Sequence, residues 1–257
     1  MAPGRESLRV QRGGHGEPVL LLVHGLGATG DVWSGLHDRL ARRWPGSWVT
    51  PDLPGHGGSA RLSRYSFGHL ATAVAETLPS ASRVVALGHS LGGVVALALA
   101  SGWFGVRLSG VCGLGIKVVW TDEELARAQA LSARPNPVYG TRREAAERHL
   151  RLAGLTGLMP PEAVADAALA REPEGWAAAF DPAAFAVGRP DMAGLLAASR
   201  APVILAAGEH DPMCRAEQLR ALAPEPVVLP GLGHNAHVEA PEAMWPLLER
   251  LAAPAAR

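Results

Sequence analysis

The segment Gly88-His89-Ser90-Leu91-Gly92 lies between a short β-branched run, Arg83-Val84-Val85-Ala86-Leu87, and a longer apolar run from Leu91 to Ala100. Few folds accept that arrangement. A serine at the point where a buried strand turns sharply into a buried helix needs small neighbours, because the backbone doubles back on itself. Gly88 and Gly92 remove the side chains that would clash, and Gly93 allows the helix to approach the sheet. The turn lifts the Ser90 hydroxyl off the sheet edge. It also aims the N–H groups of a helix N-terminus at whatever lies beside that hydroxyl. The pattern therefore predicts nucleophilic serine chemistry at a strand-to-helix turn.

The rest of the chain supplies the sheet such a turn requires. Val19-Leu20-Leu21-Leu22-Val23 is continuously apolar, as a parallel strand covered on both faces should be. Ser7 to Gln11 reads as an edge strand and Trp48-Val49-Thr50 as a short strand. Asp31 is placed to cap a helix from Val32 to about Arg43. A helix is predicted from Ser66 to Leu78, and a strand from Leu108 to Leu114. Later, Pro202 to Ala207 and Glu225 to Leu229 read as strands, and Pro241 to Leu251 as a closing helix. This alternation predicts an α/β fold with a mostly parallel central sheet and helices on both faces.

The rhythm breaks from Trp120 to about Arg200, where no strand is predicted. Thr121-Asp122-Glu123-Glu124 and Thr141-Arg142-Arg143-Glu144 each fit a capping box that opens a helix. Pro160-Pro161-Glu162 should open a third, and Asp191 should cap a fourth. Because strands resume afterwards, the block reads as a helical cap (lid) inserted at 117–200, with 1–116 and 201–257 forming the core.

Lys plus Arg equals Asp plus Glu, 24 of each in 257 residues, and no basic run tracks phosphates. A nucleic-acid partner is therefore not expected. The longest apolar run is the length of a buried helix, too short for a bilayer, so no membrane partner is expected. Met1 to Arg12 has no apolar core of a secretory signal. Two cysteines, Cys112 and Cys214, do not make a disulfide scaffold. These readings place the protein in the cytoplasm, and the Gly-, Ala-, Arg- and Pro-rich composition has the look of a bacterial coding bias. No metal motif and no dinucleotide fingerprint occur, so neither metal nor cofactor is expected.

A serine hydroxyl needs a base, and the base needs a group that fixes its tautomer. Two predicted strand ends offer them. Ala207-Gly208-Glu209-His210-Asp211 supplies Asp211, with Glu209 and His210 as competitors. Gly231-Leu232-Gly233-His234-Asn235-Ala236-His237 supplies His234, with His237 as competitor. Active residues of open parallel sheets collect at the carboxyl ends of strands, where all of these fall.

Four motifs, in order, resemble the α/β-hydrolase superfamily over nearly the whole chain. They are Leu22-Val23-His24-Gly25-Leu26-Gly27, Pro51-Asp52-Leu53-Pro54-Gly55-His56-Gly57-Gly58-Ser59, Gly88-His89-Ser90-Leu91-Gly92-Gly93, and the Gly231–His234 loop followed by His237, Glu239 and Pro241. The resemblance implies a triad of Ser90, Asp211 and His234. It also implies an oxyanion hole made by the backbone N–H groups of Leu26 and Leu91. His24, His56, His89 and Asp52 are expected to brace loops. Trp33, Trp120, Trp176, Phe180, Phe185 and His237 are candidates to line a pocket for a small, apolar, ester-like substrate.

The implied activity is hydrolysis of a carboxylic ester, lactone or thioester through an acyl-enzyme. Ser90 argues against the family's aspartate-nucleophile dehalogenases and epoxide hydrolases. Carbon–carbon hydrolases, perhydrolases, acyltransferases and natural-product cyclases use the same triad and stay open as alternatives. His89 and Asn235 differ from the residues usual in the carbon–carbon hydrolases. A ligand-binding receptor on the same scaffold is the alternative of another class.

Overall fold

A computed structural model of the protein describes residues 7–80, 82–223 and 225–253. The outer ends of the expected core, 1–6 and 254–257, lie outside the described residues. In chain order the elements are β1 (Val10–Gly14), β2 (Val19–Val23), α1 (Ser34–Arg43), β3 (Ser47–Pro51), α2 (Phe67–Ala75), β4 (Val84–His89), α3 (Leu91–Ala100) and β5 (Leu108–Leu114). They continue with α4 (Asp122–Ser132), α5 (Arg142–Ala153), β6 (Leu169–Glu172), β7 (Gly175–Ala178), α6 (Met192–Ala198), β8 (Val203–Gly208), α7 (Ala216–Arg220), β9 (Val227–Leu229), α8 (Ala236–Glu239) and α9 (Trp245–Ala252).

Seven strands form one sheet in the order β1-β3-β2-β4-β5-β8-β9. Only β1 runs antiparallel, against β3. Alternate residues of β2 serve opposite faces, as strand geometry requires. Leu21 and Val23 join the apolar layer under α2 and α3, while Leu20 and Leu22 join the layer under α1 and α9. All ten residues of α3 are buried, which explains why that helix is apolar all round. The sheet order runs outward in opposite directions from β2 and β4. A crevice therefore opens between their carboxyl ends, the position where such sheets bind ligands.

Between β5 and β8 the chain makes α4, α5 and α6, and both threonine capping boxes are formed. This segment is tied to the turn after β3 by main-chain bonds. Gly57 N–H donates to Ala179 O at 2.7 Å and Asp181 N–H to Gly55 O at 2.7 Å. The Tyr65 hydroxyl donates to Asp181 at 2.7 Å.

Three expectations are corrected. The segment holds an antiparallel hairpin, β6 with β7, where no strand was predicted. Its Ala-rich second strand has little intrinsic β preference. It is held because Trp176 exchanges two hydrogen bonds with Tyr139 on its outer edge, at 2.7 and 2.8 Å. A Cβ at Gly175 would stand 2.0 Å from Tyr139 O. The helix expected after Pro160 is only a three-residue 3-10 turn, Pro161–Ala163. Val164 turns inward and is buried, and its carbonyl accepts from the Arg142 guanidinium at 2.7 Å. Asp31 does not cap α1. It sits inside a 3-10 turn, and its carboxylate receives Arg9 at 2.9 and 3.1 Å and Gln11 at 2.8 Å. Long-range partners outcompeted the local cap.

Candidate active site

Ser90 follows β4 directly and has φ 50° and ψ −116°. Among the described residues it is the one non-glycine with positive φ. Backbone of this kind costs on the order of 1–3 kcal/mol and persists only where the surroundings enforce it. The enforcement is visible in the neighbours. A Cβ at Gly88 would lie 2.2 Å from Gly92 O, and one at Gly92 would lie 2.4 Å from Val23 O. Ser90 N–H donates to Leu114 O at 2.8 Å, fixing the turn to β5. These contacts hold the hydroxyl-bearing carbon above the crevice. Leu91, the first residue of α3, borders the same space.

His234 and Asp211 come from the loops after β9 and β8. His234 Nδ1–H donates to Asp211 Oδ2 at 2.9 Å. The other carboxylate oxygen accepts from Met213 N–H at 2.8 Å and Cys214 N–H at 3.1 Å. The Asp211 side chain is fully buried and the His234 ring is 16% exposed. The bond at Nδ1 leaves Nε2 as the ring nitrogen able to accept a proton. Gly115, with φ 62°, ends β5 beneath this pair. A Cβ there would stand 3.2 Å from Asp211 Oδ2 and 3.3 Å from His234 Nδ1. Sequence reasoning missed Gly115, and its only signal was a glycine at a strand end.

Buried imidazoles brace the loops as expected. His24 Nδ1–H donates to Gly25 O at 2.8 Å, and its Nε2 accepts from Leu53 N–H at 2.8 Å. This pins the Gly25-Leu26 turn beside Ser90. Accepting at Nε2 requires the neutral ring, and burial pushes His24 down to about 4. His89 Nε2–H donates to His234 O at 2.9 Å, linking the serine turn to the histidine loop. Burial, reinforced by His237 and His234, holds His89 well below its ordinary value. His56 Nδ1–H donates to Pro54 O at 3.0 Å, and burial pushes it to about 3. Asp52 accepts from Gly30 and Gly58 N–H at 2.7 and 3.1 Å, bracing its turn.

A cavity of about 700 Å³ joins these groups. Ser90, His234, Leu26 and Leu91 all line it, together with Trp120 and Phe185. The other pocket candidates fall elsewhere. Trp33 is fully buried in the core and packs against His237, with ring centroids 4.4 Å apart. His237 is likewise buried, between Trp33 and His89. Phe180 is buried beside His56, and Trp176 belongs to the hairpin and the layer under it. Phe67 and Leu125 line the cavity without having been foreseen. Among the described residues no group of three or more His, Cys, Asp or Glu could hold a metal ion, and no helix is long and apolar enough to cross a membrane.

The strained serine turn on a seven-stranded α/β sheet, with the histidine–carboxylate pair across one cavity, defines a class of protein. The chain belongs to the alpha/beta hydrolase family, whose profile matches residues 20–246. It is similar over its full length to the 2-succinyl-6-hydroxy-2,4-cyclohexadiene-1-carboxylate synthase of Klebsiella pneumoniae, with 31% identity over 96% of this chain and 98% of that one. Other curated relatives match over a shorter stretch. The pimeloyl-[acyl-carrier protein] methyl ester esterase of Aeromonas hydrophila is 46% identical over 37% of this chain and 36% of its own length. An uncharacterized protein of Mycobacterium tuberculosis is 37% identical over 37% of this chain and 28% of its own. The chain thus spans about a third of the length of these partial relatives. Among solved structures, E-2-(acetamidomethylene)succinate hydrolase superposes with a TM-score of 0.78 at 24% identity, covering 96% of each chain. The thioesterase domain of the curacin biosynthetic pathway gives 0.77 at 22%, covering 97% of each. Both likenesses show the fold alone.

Proposed function

We propose that the protein is a serine hydrolase that cleaves a carboxylic ester, lactone or thioester through an acyl-enzyme on Ser90. The observation that carries this reading is the convergence on one cavity of a strained serine turn and a histidine–aspartate pair joined at 2.9 Å. In this reading His234 Nε2 takes the Ser90 proton as Oγ attacks the carbonyl carbon. Asp211 holds the ring and stabilises its cation without itself taking the proton. The N–H groups of Leu26 and Leu91 receive the oxyanion, and no hydrogen bond among the described residues claims either one. Each such donor is typically worth about 3–4 kcal/mol of transition-state stabilisation. His234 then protonates the leaving group, and a water activated by the same ring releases the acid. Residues 117–200 act as a cap whose α4 closes the cavity above Ser90. The cytoplasm is the working compartment in this reading, where the buried thiols of Cys112 and Cys214 stay reduced.

The test is a panel of p-nitrophenyl esters from acetyl to decanoyl with the native protein and with Ser90→Ala. Turnover of some member, reduced roughly 10⁴-fold or more in Ser90→Ala, is expected. A loss of only a few-fold with the fold retained would remove Ser90 as nucleophile. The full-length likeness to a synthase favours one second reading, non-hydrolytic chemistry on the same three residues. That reading gains if Ser90 is reactive and every ester is left intact.

A further inference from the structure

The chain as a whole carries as many acids as bases, yet the cavity wall does not. Its charged lining residues are Lys117, Arg127, Arg151 and Arg189 against one carboxylate, Glu124. That carboxylate is already taken, because Lys117 Nζ bonds to Glu124 Oε1. The three arginines make no ion pair among the described residues. They come from three separate places: the middle of α4, the last turn of α5, and the loop between Val187 and α6. All three are exposed, so they stand at the rim, while Trp120, Phe185 and Phe67 make the wall below apolar. Arg151 also suits the carboxyl end of α5, where a cation opposes the helix dipole. Neither Arg127 nor Arg189 has such a role. A guanidinium presents a planar fork that fits a carboxylate through two parallel bonds. Three guanidinium groups at the rim of one largely apolar cavity favour an elongated substrate with a reacting carbonyl at one end and an anion at the other.

Resting on the acyl-transfer reading above, we propose that the substrate carries a carboxylate remote from the bond that is cleaved, and that Arg127, Arg151 and Arg189 receive it at the cavity rim. Two substrate pairs locate the anion. The mono-p-nitrophenyl ester of adipic acid against p-nitrophenyl hexanoate places it on the acyl chain. The hexanoyl ester of 4-hydroxybenzoate against phenyl hexanoate places it on the leaving group. In at least one pair the anionic ester should have the higher kcat/KM by about tenfold at low ionic strength, the size expected of three partly hydrated charge contacts. The gain should appear in KM. It should shrink as salt rises from about 10 to about 500 mM, because exposed charges are screened. In the variant R127Q/R151Q/R189Q the ratio should fall to about 1. If that variant does not fold, each single Arg→Gln change should lower the ratio by about two- to threefold.

A wild-type preference for the neutral ester in both pairs would overturn the proposal, as would a preference that survives the substitutions. Failure of the acyl-transfer reading would look different: no ester of either kind would be cleaved. In that case adipate and hexanamide binding to Ser90→Ala decides the matter by calorimetry. Tighter binding of adipate that the arginine substitutions abolish supports the proposal, and equal binding of the two ligands overturns it.

Discussion

Helices α3 and α4 are of nearly equal length and line the same cavity, yet they are built on opposite terms. Every residue of α3 is buried and it has no side-chain cap. No residue of α4 is fully buried, and it opens on a complete capping box with three acids in its first turn. The first helix is held by its surroundings, the second largely by its own ends. Opening free energies follow that difference, since elements with few buried apolar contacts detach first. The difference assigns rigidity to the side that positions Ser90 and Leu91. It assigns adaptability to the side carrying Trp120, Leu125 and Arg127.

The largest effect should come from the rigid side. Gly92→Ala would place a Cβ 2.4 Å from Val23 O and 2.5 Å from His24 O, both main-chain atoms of β2 and its loop. A gain in helix propensity of at most about 1 kcal/mol cannot offset that clash. The expected cost is about 3 kcal/mol or more, read as a drop in denaturant midpoint or as loss of folded protein. A stability within about 0.5 kcal/mol of the parent would break the contrast between the helices.

Acid should act next, through buried histidine rings. Burial holds His24 at about 4 and His56 and His237 at about 3, below the ordinary 6.5. His149, from α5, is held at about 4 by burial. The native protein resists protonation at these rings while the unfolded chain takes protons near 6.5. Stability is therefore full above that pH and falls as pH drops toward 3–4. Each ring withdraws up to about 1.4 kcal/mol per pH unit in that window. The Tm should decline steeply from pH 7 to pH 4.5, and a flat Tm across that range would contradict the burial of these rings in the folded state.

The smallest effect belongs to α4. Thr121→Ala removes the hydroxyl that accepts from Glu124 N–H at 3.2 Å. It should cost about 1 kcal/mol locally, with faster amide exchange in α4 and little change in global Tm. The ester chain-length profile should move more than the rate on the best ester. Equal slowing on every ester would show that α4 belongs to the rigid machinery.

The same division explains what could be read from the sequence. The serine turn was legible because close backbone approach at Gly88 and Gly92 is a local demand written in residue type, and the Asp211 and His234 loops because each follows an apolar strand-like run. The β6–β7 hairpin was not legible, since its Ala-rich second strand is held by the bonds that Trp176 exchanges with Tyr139, far back along the chain. The aromatic residues divided for a related reason. Trp120 and Phe185 reach the cavity, while Trp33 and Phe180 fill the core. Loops and 3-10 turns have no periodicity to tell one side from the other. The arginines at the rim were invisible too, because exposed cations in a neutral chain look alike until the fold gathers them.

In the proposed function His234, oriented by Asp211, makes Ser90 a nucleophile. Labelling with a fluorophosphonate, located by peptide mass, tests it most directly across the native protein, His234→Ala and Ser90→Ala. One adduct is expected, on Ser90, formed rapidly in the native protein, slowed by roughly 10³-fold or more in His234→Ala, and absent in Ser90→Ala. An unlabelled native protein, or a Ser90 that reacts equally fast without His234, would contradict it.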